Sequence, residues 1–109
     1  FPGGSSNTVS KFNPGIMTRL AKMLEAMNYR YFDWNVASSD AGGVFTREDV
    51  VKNVTDRVKG QDISVVLQHD IKYFSVEAVE DIIVWGKKHG YTFLPLTNDS
   101  PEIKFRIKN

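Results

Sequence analysis

Hydrophobic residues recur along this chain with two different spacings. Apolar side chains follow a helical spacing of three and four residues in the stretches 16–27, 50–58 and 76–85. Shorter apolar runs, rich in β-branched and aromatic residues, occupy 29–36, 63–69 and 91–96. The pattern predicts an α/β fold in which helices alternate with mainly parallel strands joined by right-handed crossovers.

Cap signals mark the ends of the first two helices. Asn13 as N-cap and Pro14 at the first helical position predict the start of the first helix. Thr46, with Asp49 three residues later in a capping-box-like position, predicts the start of the second. Gly60 predicts the end of that helix, because glycine readily adopts the left-handed conformation that follows a helix.

The third helix is predicted to begin at a Ser75 cap and to end before Gly90. His89 falls in its last turn, where the helix dipole favours a cation, so we assign it no catalytic role. Met23 and Met27 belong to the apolar stripe of the first helix, and we interpret them as core filler. The segment 100–109 alternates weakly and is predicted to be an edge strand or an extension.

Composition and charge exclude several classes of protein. The 109 residues, 41% of them hydrophobic, are enough for one small globular domain. A net charge of +1 with scattered basic residues provides no footprint for nucleic acid and no polybasic membrane patch. No apolar run is long enough to span a bilayer. The absence of cysteine excludes disulfides, thiolate metal sites and cysteine nucleophiles.

Polar chemistry collects at or just after predicted strand ends, in segments 1–4, 34–40 and 67–70. These segments contain a Gly-rich turn whose backbone N–H groups can hold an oxyanion, the carboxylate of Asp40 and the imidazole of His69. A carboxylate near a histidine orients the ring and favours its protonated form, which can donate a proton to a leaving group. Because ligands bind at the carboxyl ends of strands in α/β folds, these segments predict an active site.

In this order, the segments resemble three motifs of the polysaccharide deacetylases of carbohydrate esterase family four, the NodB-homology domain. Segment 1–3, Phe-Pro-Gly, is similar to the last three positions of the family's Arg-x-Pro-Tyr motif. Segment 35–41 is similar to Asp-x-x-Ser-x-Asp-Trp and matches its serine and its second aspartate. Segment 67–69, Leu-Gln-His, matches Leu-x-His in full. The resemblance covers nearly the whole chain but only about the second half of the family's domain.

The resemblance implies a role for each residue at a motif position. His69 corresponds to the general acid, Asp40 to the carboxylate that tunes it, and Gly3 to the residue whose N–H helps to hold the oxyanion. Leu67 corresponds to a residue that lines the pocket for the acetate methyl group. The positions expected to bind substrate are Pro2, Leu67, Trp34 and Ser38.

The resemblance also implies an incomplete domain. Residues 1–109 correspond to the C-terminal half of a distorted (β/α) barrel, with 97–109 as its C-terminal tail. The family holds a divalent metal, for which the resemblance implies zinc, on an aspartate and two histidines of its first half, together with the catalytic base. The two histidines here, His69 and His89, form no His-x-x-x-His pair. We therefore expect the missing N-terminal half to bind the metal, and this chain alone to be inactive.

The expected partners are that upstream half and an acetylated polysaccharide, which peptidoglycan, chitin-like oligomers and xylan all satisfy. The resemblance places the enzyme outside a bacterial cell or on its surface. A second hypothesis, a non-catalytic carbohydrate-binding relative, is favoured by the departures at Gly3, Asn35 and Ala41. The third is an unrelated α/β interaction domain, in which Asp40 caps a loop and His69 is an ordinary strand-end histidine.

Overall fold

The structure, a computed structural model, describes residues 1–109. After a short 3₁₀ turn, three α-helices alternate with two short strands: α1 Ile16–Ala26, β1 Val36–Ala37, α2 Arg47–Val58, β2 Val66–Leu67 and α3 Tyr73–Lys88. None of the helices combines the length and the apolar character needed to cross a membrane. The chain forms two compact units, 1–33 with 96–109, and 34–95.

The second unit contains the sheet. Strands β1 and β2 are parallel, with Val36 opposite Val66 and Ala37 opposite Leu67. Helix α2 lies between them in sequence, and α3 follows β2. This order confirms the predicted α/β class with parallel strands, whereas the half-barrel stays a prediction.

The predicted strands are wrong over most of their length. Residues 29–35 and 91–96 form no strand, and the run 63–69 contributes only Val66 and Leu67. The segment 100–109 forms no strand either. A strand requires a hydrogen-bonded neighbour, and the sheet of this chain has only two members. Val66 of β2 is 39% exposed.

The core of the second unit lies between α2 and α3. Val50, Val54 and Val58 recur every four residues on α2 and bury one stripe of that helix. They pack with Val36 of β1 and with Ala78 and Ile82. The stripe on α2 was predicted correctly because it follows directly from helical periodicity.

The predicted cap of α2 is also confirmed. Thr46 is the N-cap, and its hydroxyl accepts a hydrogen bond from the Asp49 N–H at 3.1 Å. Gly60 follows the helix with a φ of 78°, which is the left-handed conformation expected there. The packing of α2 and its ends were therefore both predictable from sequence.

Helix α1 differs from its prediction in both start and buried face. It begins after Gly15, whose φ of 75° interrupts helical continuity from Pro14, so Asn13 is not the cap. Its buried residues are Met17 and Ala21, whereas Met23 and Met27 are exposed. The prediction of Met23 and Met27 as core filler was wrong because the buried face is centred on a different pair of positions.

Met17 and Met23 form a matched pair for testing this assignment. Met17 is 1% exposed and Met23 is 57% exposed, on the same helix. We expect Met17→Ala to lower the free energy of unfolding by about 2–5 kcal/mol, because it leaves a cavity. Met23→Ala should change it by about 0.5 kcal/mol or less. Urea denaturation of both variants measures the difference, and equal losses would contradict the assigned face.

The first unit is held together by a buried aspartate. Asp33 accepts hydrogen bonds from the Ser5 N–H and the Phe105 N–H, each at 2.7 Å, and from the Ser5 hydroxyl. Its own N–H donates to the Ile103 carbonyl at 2.7 Å. Burial raises the pKa of Asp33, but these hydrogen bonds outweigh it and the net effect is a lowered pKa. Through these hydrogen bonds, Asp33 connects the N-terminal turn, which contains Gly3, to the C-terminal tail.

Candidate functional site

Asp40 and His69 meet just beyond the carboxyl ends of the parallel strands. The register that pairs Ala37 with Leu67 makes the segments after β1 and β2 leave the sheet at the same edge. There, Asp40 Oδ1 lies 2.8 Å from His69 Nδ1. The structure therefore brings together the two side chains that the strand-end argument had placed at one edge.

The Asp40 carboxylate is buried and fully engaged. Its Oδ2 accepts hydrogen bonds from the His69 N–H at 2.7 Å and from the Ser75 hydroxyl at 2.5 Å. Asp40 is only 1% exposed, so water does not compete for these contacts. Burial raises its pKa, but the hydrogen bonds from Ser75 and from the ring and backbone of His69 lower that pKa well below its ordinary value. Asp40 is therefore an ionised carboxylate at neutral pH.

The ionised state of Asp40 determines which nitrogen of the His69 imidazole donates to it. A carboxylate can only accept hydrogen bonds, so Nδ1 of His69 must carry the proton that it donates to Oδ1. Nε2 has no partner within the chain, and the side chain is 38% exposed. The pair can thus present Nε2 to a ligand, either to give a proton or to take one.

The loop that carries Asp40 is fixed by side chains of α2. The Asn53 amide donates to the Ser38 carbonyl at 3.0 Å, and Arg57 donates to the Ala37 carbonyl at 3.0 Å. Ser39 has a φ of 65°, which turns the chain just before Asp40. Helix α2, which the core anchors, therefore sets the position of the carboxylate.

Ser75 is the site residue that sequence reasoning missed. It was predicted to cap the third helix, but α3 begins at Tyr73 after a Lys72 N-cap that makes no side-chain capping bond. Ser75 lies in the first turn, fully buried, and gives its hydroxyl to Asp40. Nothing local in the sequence indicates this contact, because a serine near a helix start is ordinarily a cap.

Gly3 lies at the third position of a tight turn in the first unit. The Gly4 N–H donates to the Phe1 carbonyl at 2.9 Å, with Pro2 and Gly3 between them. Gly3 has a φ of 72°, the positive value that a type II turn requires at its third position. Its N–H makes no hydrogen bond within the chain. Pro2 and Gly3 belong to the first unit, whereas the other predicted site residues belong to the second.

The other residues expected to bind substrate differ in how accessible they are. Leu67 and Trp34 are half-buried and Pro2 is exposed. Ser38 is fully buried, and its hydroxyl accepts the Asp40 N–H at 3.3 Å. Ser38 therefore supports the Asp40 loop in this structure, and its contact with substrate stays a prediction.

Asn35, one of the departures from the family pattern, has a structural role. Its side-chain oxygen accepts the Val65 N–H at 2.7 Å, and its amide donates to the Ile63 carbonyl at 2.8 Å and to the Gln61 side chain. These contacts extend the pairing of the two strands beyond β1. The departure at Asn35 is therefore accounted for by strand pairing.

The residues of this chain do not fit a metal site. No cluster of three or more His, Asp or Glu side chains is placed to hold an ion. His89 is the C-cap residue of α3, where its ring stacks on Trp85 with 4.3 Å between centroids. Its Nδ1 lies 2.7 Å from the Trp85 carbonyl oxygen. This placement agrees with the helix-end role expected for His89.

The first unit has an open pocket of about 400 Å³. Its charged wall residues are paired with one another, since Glu102 contacts both Arg30 and Lys104. Tyr31 lines the same pocket and lies 4.5 Å beneath the Lys104 ammonium. None of the predicted site residues lines this pocket, so it provides no argument for the chemistry.

Comparison with known proteins supplies one informative relative. No protein-family model matches the chain, and no curated protein sequence does. Among solved structures, the chain is similar to the catalytic domain of peptidoglycan N-acetylglucosamine deacetylase from Eubacterium rectale ATCC 33656, with 57% sequence identity and a TM-score of 0.94. The match covers 100% of this chain and 50% of that one. The chain thus spans about half the length of the protein that it matches.

Proposed function

Given that the chain is a homologue of the polysaccharide deacetylases over its whole length, we propose that it forms part of an enzyme that removes acetyl groups from N- or O-acetylated polysaccharides. The observation that carries this proposal is the buried Asp40 carboxylate bound to His69 Nδ1 at the carboxyl end of two parallel strands. The relative's activity on peptidoglycan N-acetylglucosamine supports an N-acetylated cell-wall glycan as the first substrate to test, ahead of chitin-like oligomers and xylan. Such a substrate places the enzyme outside the bacterial cell or on its surface.

His69 is assigned the role of general acid. Hydrolysis of an acetamide adds water to the carbonyl carbon and then breaks the carbon–nitrogen bond, and the departing amine requires a proton. His69 Nε2 supplies that proton, while Asp40 holds Nδ1 and thereby fixes the direction in which Nε2 points.

Gly3 and Leu67 are assigned to substrate positioning. The Gly3 N–H has no acceptor within the chain and can donate to the oxyanion that forms when water adds to the acetyl carbonyl. Leu67 is the last residue of β2, two positions before His69, and is half-buried, which suits a wall for the acetate methyl group. Both assignments rest on the motif resemblance together with these local observations.

The family resemblance implies a divalent metal, zinc, which would polarise the acetyl carbonyl and activate water. The side chains of this chain do not form a site for it. We therefore assign the metal and the catalytic base to residues outside this chain, in the upstream half of the domain. The roles of His69, Asp40 and Gly3 do not depend on the identity of the ion.

The direct test is acetate release by the full-length protein that contains this chain. We expect equal amounts of acetate and free amines from N-acetylated peptidoglycan fragments, less of both from N-acetylated chitooligosaccharides, and less acetate from O-acetylated xylan. Acetate is measured enzymatically and free amines by mass spectrometry of the glycan. The same fragments without N-acetyl groups serve as the control.

The second candidate function, a carbohydrate-binding relative without catalysis, gives a different result in the same experiment. It requires saturable binding of the glycan by the metal-loaded protein and no acetate release. Of the departures that motivate it, Asn35 has a structural explanation, whereas the exposed Ala41 has none in the structure.

A further inference from the structure

The two oxygens of the Asp40 carboxylate have different hydrogen-bond partners. Oδ1 lies 2.8 Å from Nδ1 of the His69 ring. Oδ2 accepts both the His69 N–H and the Ser75 hydroxyl, at 2.7 Å and 2.5 Å. A carboxylate can rotate about its own bond to the chain, so the oxygen offered to Nδ1 is defined only if the other oxygen is held.

Ser75 is itself held in place and cannot turn its hydroxyl to water. Its N–H donates to the Lys72 carbonyl at 3.0 Å, and its carbonyl accepts the Gln68 side-chain amide at 2.5 Å. The residue is fully buried in the first turn of α3. Its hydroxyl therefore has one function in this structure, which is donation to Asp40.

We propose that Ser75 is a positioning residue for the Asp40–His69 pair, through which helix α3 fixes the carboxylate that orients the general acid. The inference rests on the proposed function and deepens it by adding a residue that the deacetylase motifs do not include. Because Ser75 acts through Asp40 and not on the substrate, its removal should reduce the rate of the chemical step and leave substrate binding intact. The hydrogen bond from Ser75 also contributes to the lowered pKa of Asp40.

The test is Ser75→Ala in the full-length protein, assayed by acetate release. We expect kcat to fall about tenfold with KM nearly unchanged, because the imidazole is less well aligned. Thr55→Val is the matched control, since it also removes a buried hydroxyl, whose only contact is with the Lys52 carbonyl within α2. That control should keep the kcat of the wild type.

A second measurement does not depend on turnover. In the wild type, the Nδ1–H proton of His69 is bound to Asp40 and should give a slowly exchanging NMR resonance. We expect this resonance to broaden or exchange faster in Ser75→Ala and to be unchanged in Thr55→Val. Should the alanine variant fail to fold, Ser75→Cys replaces it, because a thiol has a similar size and is a weak donor.

The results for the His69 and Ser75 variants distinguish the positioning role of Ser75 from the proposed deacetylase function. Loss of activity in His69→Ala together with wild-type kcat and an unchanged Nδ1–H resonance in folded Ser75→Ala or Ser75→Cys would overturn the positioning role alone. Full activity in His69→Ala would overturn the proposed function and this inference with it. A reduced kcat, unchanged KM and altered resonance in the Ser75 variant support the positioning role.

Discussion

Replacing His69 with alanine is expected to reduce acetate release by about 10²–10⁴-fold, the range that a positioned general acid contributes. The change removes the imidazole that supplies the proton to the departing amine, and what then remains at Asp40 Oδ2 is a backbone N–H and the Ser75 hydroxyl. The fold should be preserved, since the His69 side chain is 38% exposed. Steady-state kinetics and circular dichroism of the purified variant measure the two effects.

The other histidine provides a matched control. His89 packs on Trp85 at the end of α3 and makes no contact with Asp40 or His69. His89→Ala should therefore keep kcat and KM within about twofold of the wild type. Equal activities of the two alanine variants would contradict the assignment of His69 as the acid.

Asp40→Asn is expected to impair both activity and stability. The amide keeps the shape of the carboxylate but offers only one acceptor oxygen to the donors from His69 and Ser75. One donor is then unpaired in a buried site, at a cost of about 2 kcal/mol or more in the free energy of unfolding. Turnover should fall as strongly as in His69→Ala, because the ring loses both its orientation and the nearby charge.

The pH dependence of that stability loss follows from the lowered pKa of Asp40. A carboxylate whose pKa is lower in the folded state stabilises the fold above the unfolded pKa, which is about 4. This contribution disappears as the pH falls toward the folded pKa. The difference between wild type and Asp40→Asn in urea denaturation should therefore be largest near neutral pH and shrink on acidification below about pH 4.

Asp62→Asn is the control for this series, because Asp62 is exposed and its side chain makes no hydrogen bond. Its effect on the free energy of unfolding should be about 0.5 kcal/mol or less. An Asp40→Asn protein that matched the wild type in stability at neutral pH and in turnover would refute the electrostatic role of Asp40.

Features encoded by neighbouring residues were predictable from the sequence. The Thr46 cap and the valine stripe of α2 each depend on residues a few positions apart, and both are present as predicted. The Asp40–His69 pair was also foreseen, because parallel strands carry their following loops to the same edge. Its catalytic role stays a prediction.

Features that depend on distant partners were not predictable. Residues 91–96 have the composition of a strand, but composition does not specify a neighbour to pair with. The contacts of Asp40 with Ser75 and of Asp33 with Ser5 join residues 35 and 28 positions apart. Both serines look like ordinary turn or cap residues in the sequence, so only the three-dimensional arrangement identifies them as partners of buried carboxylates.

The side chain of Asn35 imitates a peptide group, since it offers one acceptor and one donor to the adjoining segment just as a strand backbone would. An aspartate at this position would match the family motif more closely but would set a negative oxygen against the Ile63 carbonyl. Asn35→Asp, which restores the motif residue, would therefore destabilise the fold. The family motif alone therefore does not determine which residue suits position 35. The neighbouring carbonyl does.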